Sequence, residues 1–450
     1  MTLHLPIPAR GPRCRVLSAL ALSAVCSLAV SCARPLPDSP ASASIRGRAA
    51  RSYCGSIASD NDVVVTLRPG VDAVQFGLDH GAALLASDES GCTAYRPGPD
   101  ETPDQLALDM GGDPRTLTSE RNMGLESAEA RQQAYAFDDG QGTPGNYAEQ
   151  PAMSAVHVDQ AHLTSTGQGV WVAILDTGAE LDHPALLGRI AGGVDLVDGD
   201  ADPTDRPDGL DNDGDGVADE AWGHGTHVAG IVARLAPDAR LLIVRVLDAE
   251  GRGDVMGVAS GIEWAAAHGA RVINLSLGML SKSAAIAYQI AEADARGTVC
   301  VASAGNWGAE EPEEYPARDS HVLAVAAVDA LGLAAPWTSF GDFVAVSGPG
   351  VAVRSAYVHG SYALWSGTSM AAPFLSGTAA LLLSIHPDWD RSMVMSRIAS
   401  GSRPLLTLNP LIGEELGAGA LDAGAALAPD ARTSEGAMDP EPPFSRRLPP

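Results

Sequence analysis

The feature that most constrains the fold is an alternation of short, unbroken apolar runs with amphipathic stretches, beginning at Gly169. Val170-Trp171-Val172-Ala173-Ile174-Leu175 is continuously apolar, as a parallel strand buried on both faces requires; a half-exposed strand would alternate. Leu241–Val244 and Val299–Ala302 repeat the pattern, and Val272-Ile273-Asn274-Leu275 does so with one polar residue. Between them, Val228, Ile231, Val232 and Leu235 fall on one helical face, and further helices are expected near 255–268 and over 284–296. Such alternation implies right-handed crossovers. The expected fold is α/β, a doubly wound, mostly parallel sheet with helices on both faces. Reactive groups then belong at the carboxyl ends of the strands.

Three chemically capable side chains fall at those places. Asp176 closes the first strand and precedes Thr177-Gly178. His224 opens a helix in Gly223-His224-Gly225-Thr226-His227-Val228-Ala229-Gly230. Ser369 opens another, in Ser366-Gly367-Thr368-Ser369-Met370-Ala371-Ala372-Pro373. A hydroxyl that attacks at neutral pH needs a base in hydrogen-bond reach, and that base needs an orienting carboxylate. Ser369, His224 and Asp176 supply the three roles. A serine at a helix N-terminus also gains free N–H groups aimed at developing negative charge.

These motifs, in this chain order, resemble the signatures of the subtilases, the subtilisin-like serine proteases, over residues 150–428. The order Asp…His…Ser is the one general accounts of serine catalysis quote for subtilisin. The resemblance implies a subtilisin-like fold and a serine endopeptidase acting on proteins or peptides, with no cofactor for catalysis. It makes Asn306, in Ala304-Gly305-Asn306, the side-chain donor to the oxyanion, with the Ser369 N–H as its partner. Ser276-Leu277-Gly278 resembles the strand that pairs with substrate backbone, and Tyr315-Pro316-Ala317 the turn beside the specificity pocket, where the proline is usually cis. Ser276–Gly278 and Ser303–Gly305 would then wall the pocket and Glu314 lie on its floor. A carboxylate there favours a substrate arginine or lysine. The competing expectation is that Glu314 points to water or is neutralised by Arg318, leaving an apolar pocket.

A smaller unit precedes this domain. Val63–Leu67 reads as a strand stopped by Pro69-Gly70, a helix is expected from Val71 to about Leu85, and 126–149 reads as a linker. The strand, and Asp113-Pro114 through Glu120-Arg121-Asn122, resemble the beginning and end of the family's inhibitory pro-segment, here 56–125; a plain N-terminal extension is the alternative. Such a segment assists folding, inhibits as a bound product and is then cleaved.

Residues 1–32 read as an export signal. Arg10, Arg13 and Arg15 precede an uncharged stretch, Val16–Val30, and no other segment looks long and apolar enough to cross a membrane. Leu28-Ala29-Val30-Ser31-Cys32 resembles a bacterial lipobox, which would lipidate Cys32 and hold the protein at the cell envelope; cleavage after Ala33 would instead release it. A tether over 33–55 and a proline-rich, disordered tail over 429–450 complete the plan. Cys54 and Cys92 could pair in an oxidising compartment, and Cys300 reads as a buried thiol.

Between Asp176 and His224 lies Asp211-Asn212-Asp213-Gly214-Asp215-Gly216-Val217-Ala218-Asp219-Glu220. Aspartates at alternate positions with a glycine after them match the spacing of a calcium loop, with Asp211, Asp213, Asp215 and Asp219 as ligands. The twelfth position is Trp222, so the loop is not a complete EF-hand, and a solvated acidic loop is the alternative. Carboxylates outnumber basic residues 56 to 29, a formal charge of −27 that disfavours nucleic acid and anionic membranes as partners. Contact with a membrane is expected only through lipid at Cys32, and a monomer is expected. An α/β-hydrolase esterase would need glycine two positions after its serine, where Ala371 stands. A dead binding module would tolerate loss of a triad member, and none is lost.

Overall fold

The computed structural model describes residues 60–429, apart from 132, 133, 135 and 213. The leader, the tether, Cys54 and all but the first residue of the expected tail therefore lie outside the described residues. The small N-terminal unit comprises β1 (Val63–Leu67), α1 (Ala73–Asp79), β2 (Ala83–Ser87), β3 (Cys92–Arg96), α2 (Pro103–Gly111) and β4 (Thr116–Arg121). Its sheet is antiparallel in the order β2-β3-β1-β4. The helix expected to run from Val71 to Leu85 stops at Asp79. His80 caps it, Gly81 turns the chain at φ +65°, and Leu84 and Leu85 go into β2 instead. One face of the sheet packs on Phe76, Leu106 and Met110.

A short strand β5 (Gly124–Glu126) and one helical turn α3 (Ala128–Arg131) follow. Helices α4 (Pro144–Ala148), α5 (Pro151–Ala155) and α6 (Val158–Ala161) lead to β6 (Trp171–Asp176). The expected linker is thus not a free tether. Tyr147 is buried and donates its hydroxyl to the Gly230 carbonyl at 2.6 Å, and Asp139 pairs with Arg354.

The large domain continues with β7 (Ile190–Asp195), α7 (His224–Leu235), β8 (Arg240–Arg245), β9 (Arg252–Asp254), α8 (Val255–Ala267), β10 (Val272–Leu275), α9 (Ala284–Ala295), β11 (Val299–Ser303), β12 (Val322–Val328), β13 (Val344–Pro349) and α10 (Thr368–Ile385). Seven strands form one parallel sheet, ordered β13-β12-β11-β10-β6-β8-β7. Side chains alternate between its faces, so Val172 and Ile174 join a core with α7 and α10, while Ala173 and Leu175 join one with α8 and α9. That two-sided burial explains the unbroken apolar runs. Helix α10 has the length and hydropathy of a membrane span, contrary to expectation, but it is 89% buried as the central core helix.

The free face of the small sheet sits on α8 and α9. Val64, Cys92 and Ala94 share a core with Met256, Val258 and Ile286. Glu120 accepts hydrogen bonds from Ser283 Oγ and the Ala284 and Ala285 amides, placing a carboxylate at the positive N-terminus of α9. Cys92 is a free thiol 3.3 Å from Met256 Sδ, and Cys300 is buried in β11, its thiol pushed up to about 12 by burial.

Candidate active site

Asp176 sits at the carboxyl end of β6, and α7 approaches that end so closely that a Cβ on Gly225 would meet the Gly178 carbonyl at 2.1 Å. Only glycine lets His224 reach the carboxylate: His224 Nδ1 lies 2.7 Å from Asp176 Oδ1. The imidazole is fully buried, with Trp365 edge-on at 5.1 Å between ring centres. A second buried carboxylate supports this corner, and sequence reasoning did not single it out. Asp205 Oδ2 accepts from Thr177 Oγ1 and from the Gly223 amide, both at 2.8 Å, tying the residue after Asp176 to the residue before His224. Burial pushes Asp205 up to about 7.

Ser369 lies in the first turn of α10, its Oγ 3.3 Å from the Ser276 carbonyl. Asn306 Oδ1 accepts from the Thr368 amide at 2.9 Å and its hydroxyl at 2.8 Å. An amide whose oxygen is held by an N–H must turn its NH2 the other way, toward the Ser369 N–H. The two donors thus converge where an oxyanion would form. Asp176, His224, Ser369 and Asn306 are brought together as the sequence implied.

One residue in this centre was not anticipated. The Glu129 side chain enters it from α3, fully buried. Its Oε1 accepts from Asn306 Nδ2 at 2.9 Å and from the Ser369 amide at 3.4 Å, and its Oε2 lies 3.1 Å from His224 Nε2. The carboxylate presses so closely on Gly367 that a Cβ there would sit 1.7 Å from Oε1. Burial would raise the Glu129 carboxyl, but the bond to His224 holds it below the usual carboxylate range. Burial likewise opposes a charged His224; Asp176 first and Glu129 second push it up to about 10. No motif flags Glu129; the signal that could have found it is a carboxylate just beyond the last strand of the small unit.

The segment before Glu129 fills the cleft. β5 pairs antiparallel with β9, Leu125 opposite Gly253. Glu126 exchanges two backbone bonds with Gly278, at 3.1 and 2.8 Å, and the Ser127 amide donates to Gly251. Leu125 is buried in the core that holds Val255 and Met256. Gly278 therefore pairs with extended backbone, here the chain's own, while the Ser276 carbonyl faces Ser369 Oγ.

Glu314 is buried at 1% exposure, so it does not point to water. Its Oε2 accepts from Trp307 Nε1 at 2.7 Å, while Arg318 pairs with Glu311. The carboxylate lies between the segments expected to wall the pocket: a Cβ on Gly278 would be 1.8 Å from Oε1, and one on Gly305 3.1 Å from Cδ. Ala304 is buried behind that wall, and Tyr315–Pro316 is cis.

In the acidic loop, the Asp211 carboxylate accepts from the Gly214, Asp215 and Gly216 amides. Asp215 accepts from Val217, and Asp219 from Asp208 and Gly209. Asp213 lies outside the described residues. Among those described, no three acidic, histidine or cysteine side chains converge as metal ligands. Glu250 reaches the loop from outside it: its Oε1 accepts from the Asn212 and Asp219 amides, while its buried Oε2 has no hydrogen-bond partner.

The subtilase family profile matches residues 167–418, more than half of the chain, and spans the four residues gathered here. The chain is a subtilase. It is 40% identical over 256 residues to the thermostable alkaline protease of Halalkalibacterium halodurans, covering 55% of this chain and 66% of that one. It is 38% identical over 267 residues to Subtilisin BL of Lederbergia lenta, covering 57% and 92%. Among solved structures, a protease from Pseudoalteromonas arctica matches this subtilase with 32% identity and a TM-score of 0.56, over 60% of this chain and 93% of that one. Fervidolysin from Fervidobacterium pennivorans, a keratinolytic enzyme related to subtilisin, aligns with a TM-score of 0.67 over 86% of this chain and 64% of its own. At 22% identity that likeness concerns the fold, and it reaches beyond the catalytic domain of this subtilase.

Proposed function

We propose that this subtilase is an exported endopeptidase made as a latent precursor, in which the small unit expected over 56–125, continued by the cleft segment to Ala128, acts as the inhibitory pro-segment. The observation that carries the reading is β5 lying in the cleft as a substrate would, paired to β9 and Gly278, with Glu129 on the catalytic groups. Once that segment leaves, neutral His224 takes the Ser369 proton as Oγ attacks a substrate carbonyl. Asp176 stabilises the imidazolium, Asn306 and the Ser369 amide bind the oxyanion, and His224 returns the proton to the leaving amine. Water then hydrolyses the acyl-enzyme by the same steps. The export signal and a lipid at Cys32 remain part of this proposal, supported by the composition of residues 1–32. The test is hydrolysis of unfolded protein by the exported chain and by Ser369→Ala. Activity in the wild type alone supports the reading, and equal activity in the variant refutes it.

Within that reading, Glu314 selects a basic side chain in the residue before the cut bond, supported by its burial between the pocket walls. The acidic loop takes a structural calcium ion. What supports this is Glu250 Oε2, a buried carboxylate oxygen without a partner beside the loop, although the loop carboxylates described accept bonds from the loop's own amides.

A further inference from the structure

We propose that the bond cut in self-maturation is Ala128–Glu129 and that the Glu129 carboxylate is a brake on that cut. The inference rests on the protease reading above. The cleft ladder fixes the register. Glu126 faces Gly278 in an antiparallel pair; the ladder stops there and Ala128 opens α3, but continued in a substrate's extended conformation the same register sets Ala128 opposite Ser276. The Ser276 carbonyl is 3.3 Å from Ser369 Oγ, so the backbone carbonyl of Ala128 is the one delivered to the nucleophile. Ala128 is buried at 2% exposure, and the next residue has its side chain on His224, Asn306 and the Ser369 amide.

The same contacts explain why the precursor holds. Cutting requires Ser369 Oγ to bond to the Ala128 carbonyl carbon while its proton passes to His224 Nε2. The carbonyl oxygen, now negative, must bind Asn306 Nδ2 and the Ser369 amide. The C–N bond to Glu129 then breaks, the His224 proton goes to the Glu129 amine, and water releases Ala128 as a free carboxylate. In the precursor, Glu129 Oε1 occupies both oxyanion donors and Oε2 holds the nitrogen that must accept the Ser369 proton. The carboxylate must swing out before its own peptide bond can be cut.

The experiment is a time course of self-cutting in the purified full-length chain, with intact mass and N-terminal sequencing of the product, for wild type, Glu129→Gln and Ser369→Ala. Ser369→Ala should stay uncut. The mature wild-type chain should begin at Glu129. Glu129→Gln should be cut at the same bond on the order of 10- to 100-fold faster, the range expected for losing a charge-assisted hydrogen bond. If Glu129→Gln does not fold, Glu129→Asp, which withdraws the carboxylate by one methylene, must also be cut faster. A mature N-terminus elsewhere, or a folded Glu129 variant that matures no faster, overturns the proposal. If Ser369-dependent hydrolysis of unfolded protein persists in that case, the protease reading stands; if there is none, both fall.

Discussion

His224 Nε2 lies 3.1 Å from Glu129 Oε2, and Ser369 Oγ turns instead to the Ser276 carbonyl. A triad imidazole must accept from its serine through that nitrogen, so while this contact holds His224 cannot take the Ser369 proton. The chain pairs a complete catalytic centre with a side chain that occupies its two most important vacancies.

The contact predicts a pH dependence with a definite sign. In the precursor Asp176 first and Glu129 second raise His224 from an ordinary 6.5 to about 10; only the part owed to Glu129 holds the segment, and it is lost as pH rises toward 10. Glu129 is lowered from 4.5, so its contribution is full above pH 4.5 and is lost on acidification. The precursor should be most latent above about pH 4.5 for as long as His224 stays protonated, and self-cutting should accelerate as pH rises toward 10. In the mature enzyme His224 keeps Asp176 but not Glu129, so hydrolysis of a peptide should reach its half-maximum at lower pH than self-cutting does. Equal midpoints would remove Glu129 from the titration.

Asn306→Ala should lower kcat by roughly 100- to 1,000-fold with little change in KM, because the bond to the oxyanion forms mainly in the transition state. Thr368 holds the Asn306 oxygen by its amide and its hydroxyl, so Thr368→Val, which keeps the amide, should show a smaller loss of the same kind. Steady-state kinetics on a peptide decide it. An increase confined to KM would contradict the role.

Glu314→Gln separates the two expectations for the specificity pocket. A peptide series differing only before the cut bond should show wild type favouring Arg or Lys over Leu by about 10- to 100-fold, with the substitution removing most of the preference. A preference for Phe or Leu that the substitution leaves unchanged would assign the buried carboxylate to structure, through its bond to Trp307.

Calcium in 100-fold excess over its dissociation constant should stabilise the folded chain by about 2.7 kcal/mol, raising Tm and slowing self-digestion. Glu250→Gln and the pair Asp213→Ala, Asp215→Ala should each weaken that response. Identical melting curves with calcium and with chelator would leave a solvated acidic loop.

The parallel sheet was legible because burial on both faces leaves an unbroken apolar run, as in Val172–Leu175. β7 was not, because Ala191, Gly192 and Gly193 give it little apolar signal and its pairing to β8 is a tertiary matter. The triad and Asn306 were legible because each requires a fixed residue at a strand end or helix start. Glu129 and Asp205 act through positions set by packing. Nothing local to Glu129 reveals that β9 and Gly278 will carry it onto His224, and Thr177 and Gly223 meet Asp205 only after the insertion folds back. The helix expected across 71–85 failed on punctuation: Gly81 ends it and the same apolar residues serve a strand.

The most direct test of the central claim is labelling by a fluorophosphonate, which reacts only with a serine activated by its base and an open oxyanion site. Peptide mapping by mass should find the label on Ser369 in the mature enzyme, none on His224→Ala, and little on the uncut precursor, where Glu129 holds both sites. A mature enzyme that digests unfolded protein with Ser369 unlabelled would contradict the account.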